Sequence, residues 1–145
     1  MKSFTVGVLA LAALALAKLA FAQSIDTKYL ALMVWANQIN KDSIQWDAQC
    51  DVDKPNPECE IVHKVMLEQM RFFIECANRY QTDGNSCGDK MRGRVITHDI
   101  KLFSWNIDCS GQDKSPTCDQ RAAAVDAEQK QLEKDMDACD HEKKL

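Results

Sequence analysis

Adjacent His98 and Asp99 are the pair whose types best suit chemistry in this sequence, since an imidazole can take a proton from water while a carboxylate orients it or holds a cation. A second acidic group, Asp51-Val52-Asp53-Lys54-Pro55-Asn56, sets carboxylates at alternate positions as a calcium loop does. It lacks the central glycine and the distal bidentate glutamate that would complete such a loop. There is no glycine-rich phosphate cradle and no serine in a strand-to-helix elbow. No asparagine has serine or threonine two positions on, so N-glycosylation is not expected. The plain readings are a solvated His98 and Asp99 between core positions Ile96 and Ile100, and a solvated acidic turn capping the next helix. No catalytic residue, cofactor site or metal site is expected.

On a helix of a small cysteine-rich protein, the His98-Asp99 pair resembles the phospholipases A2, and the resemblance implies a histidine that activates water beside a calcium-binding aspartate. It covers two residues. The family's glycine-rich calcium loop has no close counterpart in Asn85-Ser86-Cys87-Gly88-Asp89.

The seven cysteines are Cys50, Cys59, Cys76, Cys87, Cys109, Cys118 and Cys139. Zinc would need tight pairs two to four residues apart with histidines close by, and neither these spacings nor His63, His98 and His141 supply that. The cysteines read instead as disulfides of an exported protein. Export agrees with residues 1–22, where Lys2, an apolar run from Val6 to Ala17, and Ala20-Phe21-Ala22 have the three regions of a cleaved signal peptide. The run is shorter than the roughly 20 residues a bilayer needs, and Lys18 interrupts the apolar stretch. Residues 23–145 then form one domain, acidic overall once Lys2 and Lys18 are gone, which disfavours nucleic acid as a partner. No membrane insertion is expected after cleavage.

The domain reads as all-α. Ile25, Tyr29, Leu32, Met33, Ala36 and Ile39 follow helical spacing, with Ser24 as the cap and Asp26 in the first turn. Asn56-Pro57-Glu58 sets a cap, a first-turn proline and an acid at the positive end of the helix dipole. That second helix runs to about Tyr80 with Cys59, Val62, Met66, Gln69, Phe73, Cys76 and Tyr80 along one stripe, stopped by Asp83-Gly84-Asn85. A third spans about Cys87 to Cys109, with Ile96, Ile100, Phe103 and Ile107 on one face and Gly111 behind it. Ser115-Pro116-Thr117 starts a fourth, whose seam is Cys118, Ala122, Val125, Gln129, Leu132, Met136 and Cys139. The spacing predicts a four-helix disulfide-stapled bundle built from two αα-hairpins.

The hairpins repeat at an offset of 59 residues, over about 24–82 and 86–143: Trp46 with Trp105, Cys50 with Cys109, Asn56 with Ser115, Pro57 with Pro116, Cys59 with Cys118 and Glu60 with Asp119. Each repeat is a helix, a short loop flanked by cysteines, and a second helix, so Cys50–Cys59 and Cys109–Cys118 are the expected local bridges. Of the remaining three cysteines, Cys76 and Cys87 flank one short loop and meet at lower entropic cost. The expectation is a Cys76–Cys87 bridge, with Cys139 free or paired with another chain's thiol in a disulfide-linked homodimer.

Three functions compete. The first is a secreted protein-interaction module of the effector, venom or signal kind, docking an extracellular or host protein through an exposed helical face. The second is a carrier of a small hydrophobic ligand, with Met33, Met66, Met70 and Met91 lining a cavity. The acidic, helical, cysteine-stapled plan, with eight residues between two cysteines, resembles insect odorant-binding proteins and implies such a carrier. The family's pair separated by three residues is missing here. The third is a lipase-like enzyme using His98 and Asp99. Trp35, Trp46, Trp105, Tyr29, Tyr80, Phe72, Phe73 and Phe103 are expected to fill most of the core.

If Pro57 and Pro116 open helices, replacing either with alanine will cost well under the roughly 3 kcal/mol of an interior helix defect. Urea denaturation measures this, and loss of folding in either variant would refute the assigned starts.

Overall fold

A computed structural model describes residues 26–51, 54, 56–82, 84–110 and 115–142, with side chains to residue 139. The signal-like segment and Ser24, Asp53, Asp83 and Gly111 lie outside the described residues. Four helices follow in order: α1 (Thr27–Gln49), α2 (Pro57–Ala77), α3 (Cys87–Cys109) and α4 (Pro116–Glu142). They form a four-helix bundle in which each packs on the next and α3 also touches α1. No described helix is long and apolar enough to cross a membrane.

Each start has a local cause. Asp26 caps α1, its Oδ1 accepting from the Tyr29 N–H at 2.9 Å. The aspartate expected inside the first turn is therefore the cap itself. Asn56 Oδ1 accepts from the Glu58 N–H at 3.0 Å, and Pro57 takes the first helical position, where no intrahelical bond is lost. Ser86 and Asp89 form a reciprocal capping box on α3. A side chain at Gly84 would collide with that Asp89 carboxylate. α2 ends three residues before Tyr80, because Arg79 and Tyr80 N–H groups turn back to the carbonyls of Cys76 and Ala77.

The two loop-closing bridges are Cys50–Cys59 and Cys109–Cys118, each with Cα atoms 5.8 Å apart. Beside each, a tryptophan one turn before the loop reaches across it. Trp46 Nε1 donates to the Cys59 carbonyl and Trp105 Nε1 to the Cys118 carbonyl, both at 2.9 Å. Trp46 also stacks on His63, with ring centroids 4.7 Å apart.

The third bridge corrects the expectation from loop length. Cys87 is bonded to Cys139, and Cys76 is the free thiol. Cys76 lies one turn beyond Phe72, on the flank of α2 where Phe72 and Phe73 meet Trp35 of α1. Cys87 opens α3, and Cys139 continues the buried α4 seam of Val125, Gln129, Leu132 and Met136. Helix docking decides the pairing, since a short loop cannot join thiols held on different faces.

The α3–α4 register is marked by three ion pairs at successive heptads. Arg94 pairs with Asp135 at 2.6 Å, Lys101 with Glu128 at 2.9 Å, and Arg121 with Asp108 at 2.8 Å. Moving seven residues up α3 moves the partner seven residues down α4, which requires antiparallel helices. Exposed pairs of this kind contribute at most about 1 kcal/mol each, so they specify alignment more than they stabilise it.

The core runs through all four helices, with Tyr29, Met33, Ile39, Phe73, Phe103 and Leu132 almost wholly buried. Phe73 and Phe103 meet edge to face at 5.0 Å. Phe72, expected in the core, is 58% exposed, and Val62 is 46% exposed. The buried line of α2 is Met66, Met70, Phe73 and Ala77, rotated from the expected stripe by the demands of α1 and α3 on either side.

The Cys87–Cys139 bridge spans 52 positions against nine for each loop bridge. Breaking it with Cys139→Ser should cost about 4 kcal/mol, against about 3 for either loop bridge, from the chain entropy restored to the unfolded state. Cys76→Ser should be nearly neutral. Urea denaturation of the single variants checks the order, and equal losses would contradict it.

Candidate functional site

His98 and Asp99 occupy the middle of α3, where α1, α2 and α4 leave little open surface. They are 1% and 5% exposed, so the solvated pair expected from the sequence is in fact interior. His98 Nδ1 lies 3.5 Å from Asp99 Oδ1. His98 Nε2 and Asp99 Oδ2 are buried without a hydrogen-bond partner, as are Tyr29 Oη, Asn40 Nδ2 and Arg92 Nε. Burial pushes the Asp99 carboxyl well above the usual carboxylate range, and His98 only partly offsets this. Water activation would require the imidazole to reach a substrate, and this histidine faces the packed interior.

A second polar group joins three parts of the chain at the start of α1. Asp26 Oδ2 accepts from the Tyr80 hydroxyl at 2.5 Å and lies 3.9 Å from Arg92 Nε. Arg92 also pairs with Asp89. Burial raises the Asp26 carboxyl, but the Tyr80 hydroxyl, the Tyr29 N–H and Arg92 together outweigh it and hold it below its ordinary value. Burial and the same bond to Asp26 raise the Tyr80 phenol well above its ordinary value. In the sequence both tyrosines read only as apolar bulk. Asp26 close before a helical run is the sequence signal that could have shown the cap, but nothing local could have shown Tyr80 as its partner 54 residues on.

The feature open to other molecules is on the outer side of α1 and α2. Ile61, Val65 and Phe72 follow one another along α2 at helical spacing with Val62 on the same helix, and all four are 46–62% exposed, as is Val34 on α1. Trp35, Lys64, Val65, Glu68, Gln69 and Phe72 line an open groove of about 380 Å³. The Trp35 ring sits edge-on to Phe72 at 5.5 Å, so the groove floor is aromatic.

Compared with protein-family models, curated proteins and solved structures, the chain matches none. Among the described residues no cluster of three or more His, Cys, Asp or Glu side chains could hold a metal ion.

The raised Asp99 carboxyl has a consequence for stability. A carboxyl whose folded value lies above its unfolded one contributes stability at low pH and loses it as pH rises through the folded value. Asp99→Asn, of nearly the same shape, should gain about 1–3 kcal/mol at pH 8 and flatten the decline in stability above pH 4. Urea titrations across pH test this; an unchanged slope would place the ionisation elsewhere.

Proposed function

We propose that this protein is a secreted interaction module that works without catalysis, binding another protein through the outer face of α1 and α2. The observation that carries the reading is the exposed apolar face of Ile61, Val62, Val65 and Phe72 beside the Trp35 groove, open among the described residues. A soluble domain rarely exposes a contiguous apolar surface of this kind unless something covers it. Three disulfides suit an oxidising compartment, and with the signal-like leader they support export. A carrier would enclose its ligand, whereas this groove opens to solvent along the helices.

A photo-crosslinking residue in place of Val65 should capture a protein, and the same residue at Lys130 on exposed α4 surface should capture none. Val65→Asp with Phe72→Asp should abolish capture by a crosslinker at Gln69 without loss of helicity by circular dichroism. Native mass spectrometry should find the polypeptide mass alone; a stoichiometric small-molecule adduct would favour the carrier.

A further inference from the structure

The charges beside the apolar face have an order that suggests what covers it. Along α2 they run Lys64, Glu68, Arg71 and Glu75, so that like charges recur at seven residues and the sequence of signs inverts about the midpoint. All four side chains are exposed. Laid antiparallel on a second α2, this series pairs opposite charges throughout: Lys64 with Glu75 of the second copy, Glu68 with Arg71, and the reverse. The apolar stripe is symmetric about the gap between Glu68 and Gln69, one residue before the centre of the charge series between Gln69 and Met70. Val65 then faces Phe72 of the other copy, and Ile61 faces Cys76. The rule is one the chain already uses, since α3 and α4 align antiparallel through opposite charges at heptad spacing.

We infer that the face of α1 and α2 binds a second copy of this chain, with the two α2 helices antiparallel about a two-fold axis beside Gln69, which lies between the centres of the apolar and charged series. The inference rests on the reading of this face as an interaction surface and names its partner. A closed two-fold contact needs one patch complementary to itself, and an inverted charge series with a symmetric apolar stripe meets that condition. Ile61, Val65 and Phe72 of each copy, beside Trp35, would form the apolar centre of the contact. Phe72 of one copy would enter the groove of the other beside Trp35. The intrahelical pairs Arg71–Glu68 and Arg79–Glu75 would be exchanged or shared, at little cost because they are exposed. The two Cys76 thiols would lie about 22 Å apart along the axis, beyond the reach of a disulfide.

Sedimentation of the intact oxidised protein over a range of concentrations tests the inference, with circular dichroism as the control for folding. The wild type should dimerise reversibly, and Phe72→Asp should be monomeric. Arg71→Glu should raise the dissociation constant about tenfold or more by setting like charges opposite one another. Exchanging the charges, Glu68→Arg with Arg71→Glu, should restore the dimer, which loss of a merely structural contact would not predict. A cysteine at Gln69 should crosslink the two copies under mild oxidation, whereas native Cys76 should not. A monomeric wild type, a dimer indifferent to Phe72→Asp and Arg71→Glu, or a Cys76–Cys76 crosslink would each overturn the proposal. Capture of a different protein at position 65 by a monomeric chain would defeat the dimer alone, while capture of nothing, the chain's own copy included, would defeat the interaction reading too.

Discussion

Because α3 packs on α1, α2 and α4, it gives water only a narrow edge at Lys90, Thr97, Lys101 and Asp108, and the rest of the structure follows from that enclosure. Met91, Val95, Ile96, Leu102 and Phe103 are buried along it, and so are His98 and Asp99 between them. A helix enclosed on three sides buries whatever its sequence places there, polar groups included. The cost of leaving His98 Nε2 and Asp99 Oδ2 unpartnered is borne by the surrounding apolar contacts. The same enclosure puts the start of α3 within reach of α4, where Cys139 closes on Cys87.

The outer helices face the opposite condition. α2 meets α1 on one side and α3 on the other, and no other described helix packs on its remaining flank. Among the described residues nothing covers Phe72, Ile61 and Val65, while Phe73, one position on from Phe72, is wholly buried. The free thiol belongs to this flank, since Cys76 follows Phe72 by one turn.

The two loop ends are built alike by short-range means. In each, a disulfide closes the loop while a part-buried indole N–H donates to the carbonyl of the second cysteine in the first turn of the following helix, which gives the indole its hydrogen-bond partner. The far end of the molecule depends on contacts of long sequence separation, Asp26 with Tyr80 and Cys87 with Cys139. Local closure and distant closure therefore divide between the two ends.

That division also explains what could be read before folding and what could not. The four helices, their proline and asparagine starts, the seam of α4 and the two loop cysteine pairs rest on interactions within about a dozen residues, which residue order encodes directly. Asp26 shows the limit of local signals, because Ser24 and Asp26 both suit a cap, and the bond to Tyr80 was not legible from either neighbourhood. The burial of His98 and Asp99, the exposure of Phe72 and the choice of Cys139 over Cys76 depend on which helix faces dock. Helical periodicity identifies a stripe without specifying its neighbour, and α2, pulled by α1 and α3 together, turned its expected stripe partly outward. Loop-closure entropy compares the ease of meeting in an unfolded chain, but a disulfide forms only where the folded backbone brings two sulfurs together, and that position is a property of the packed bundle.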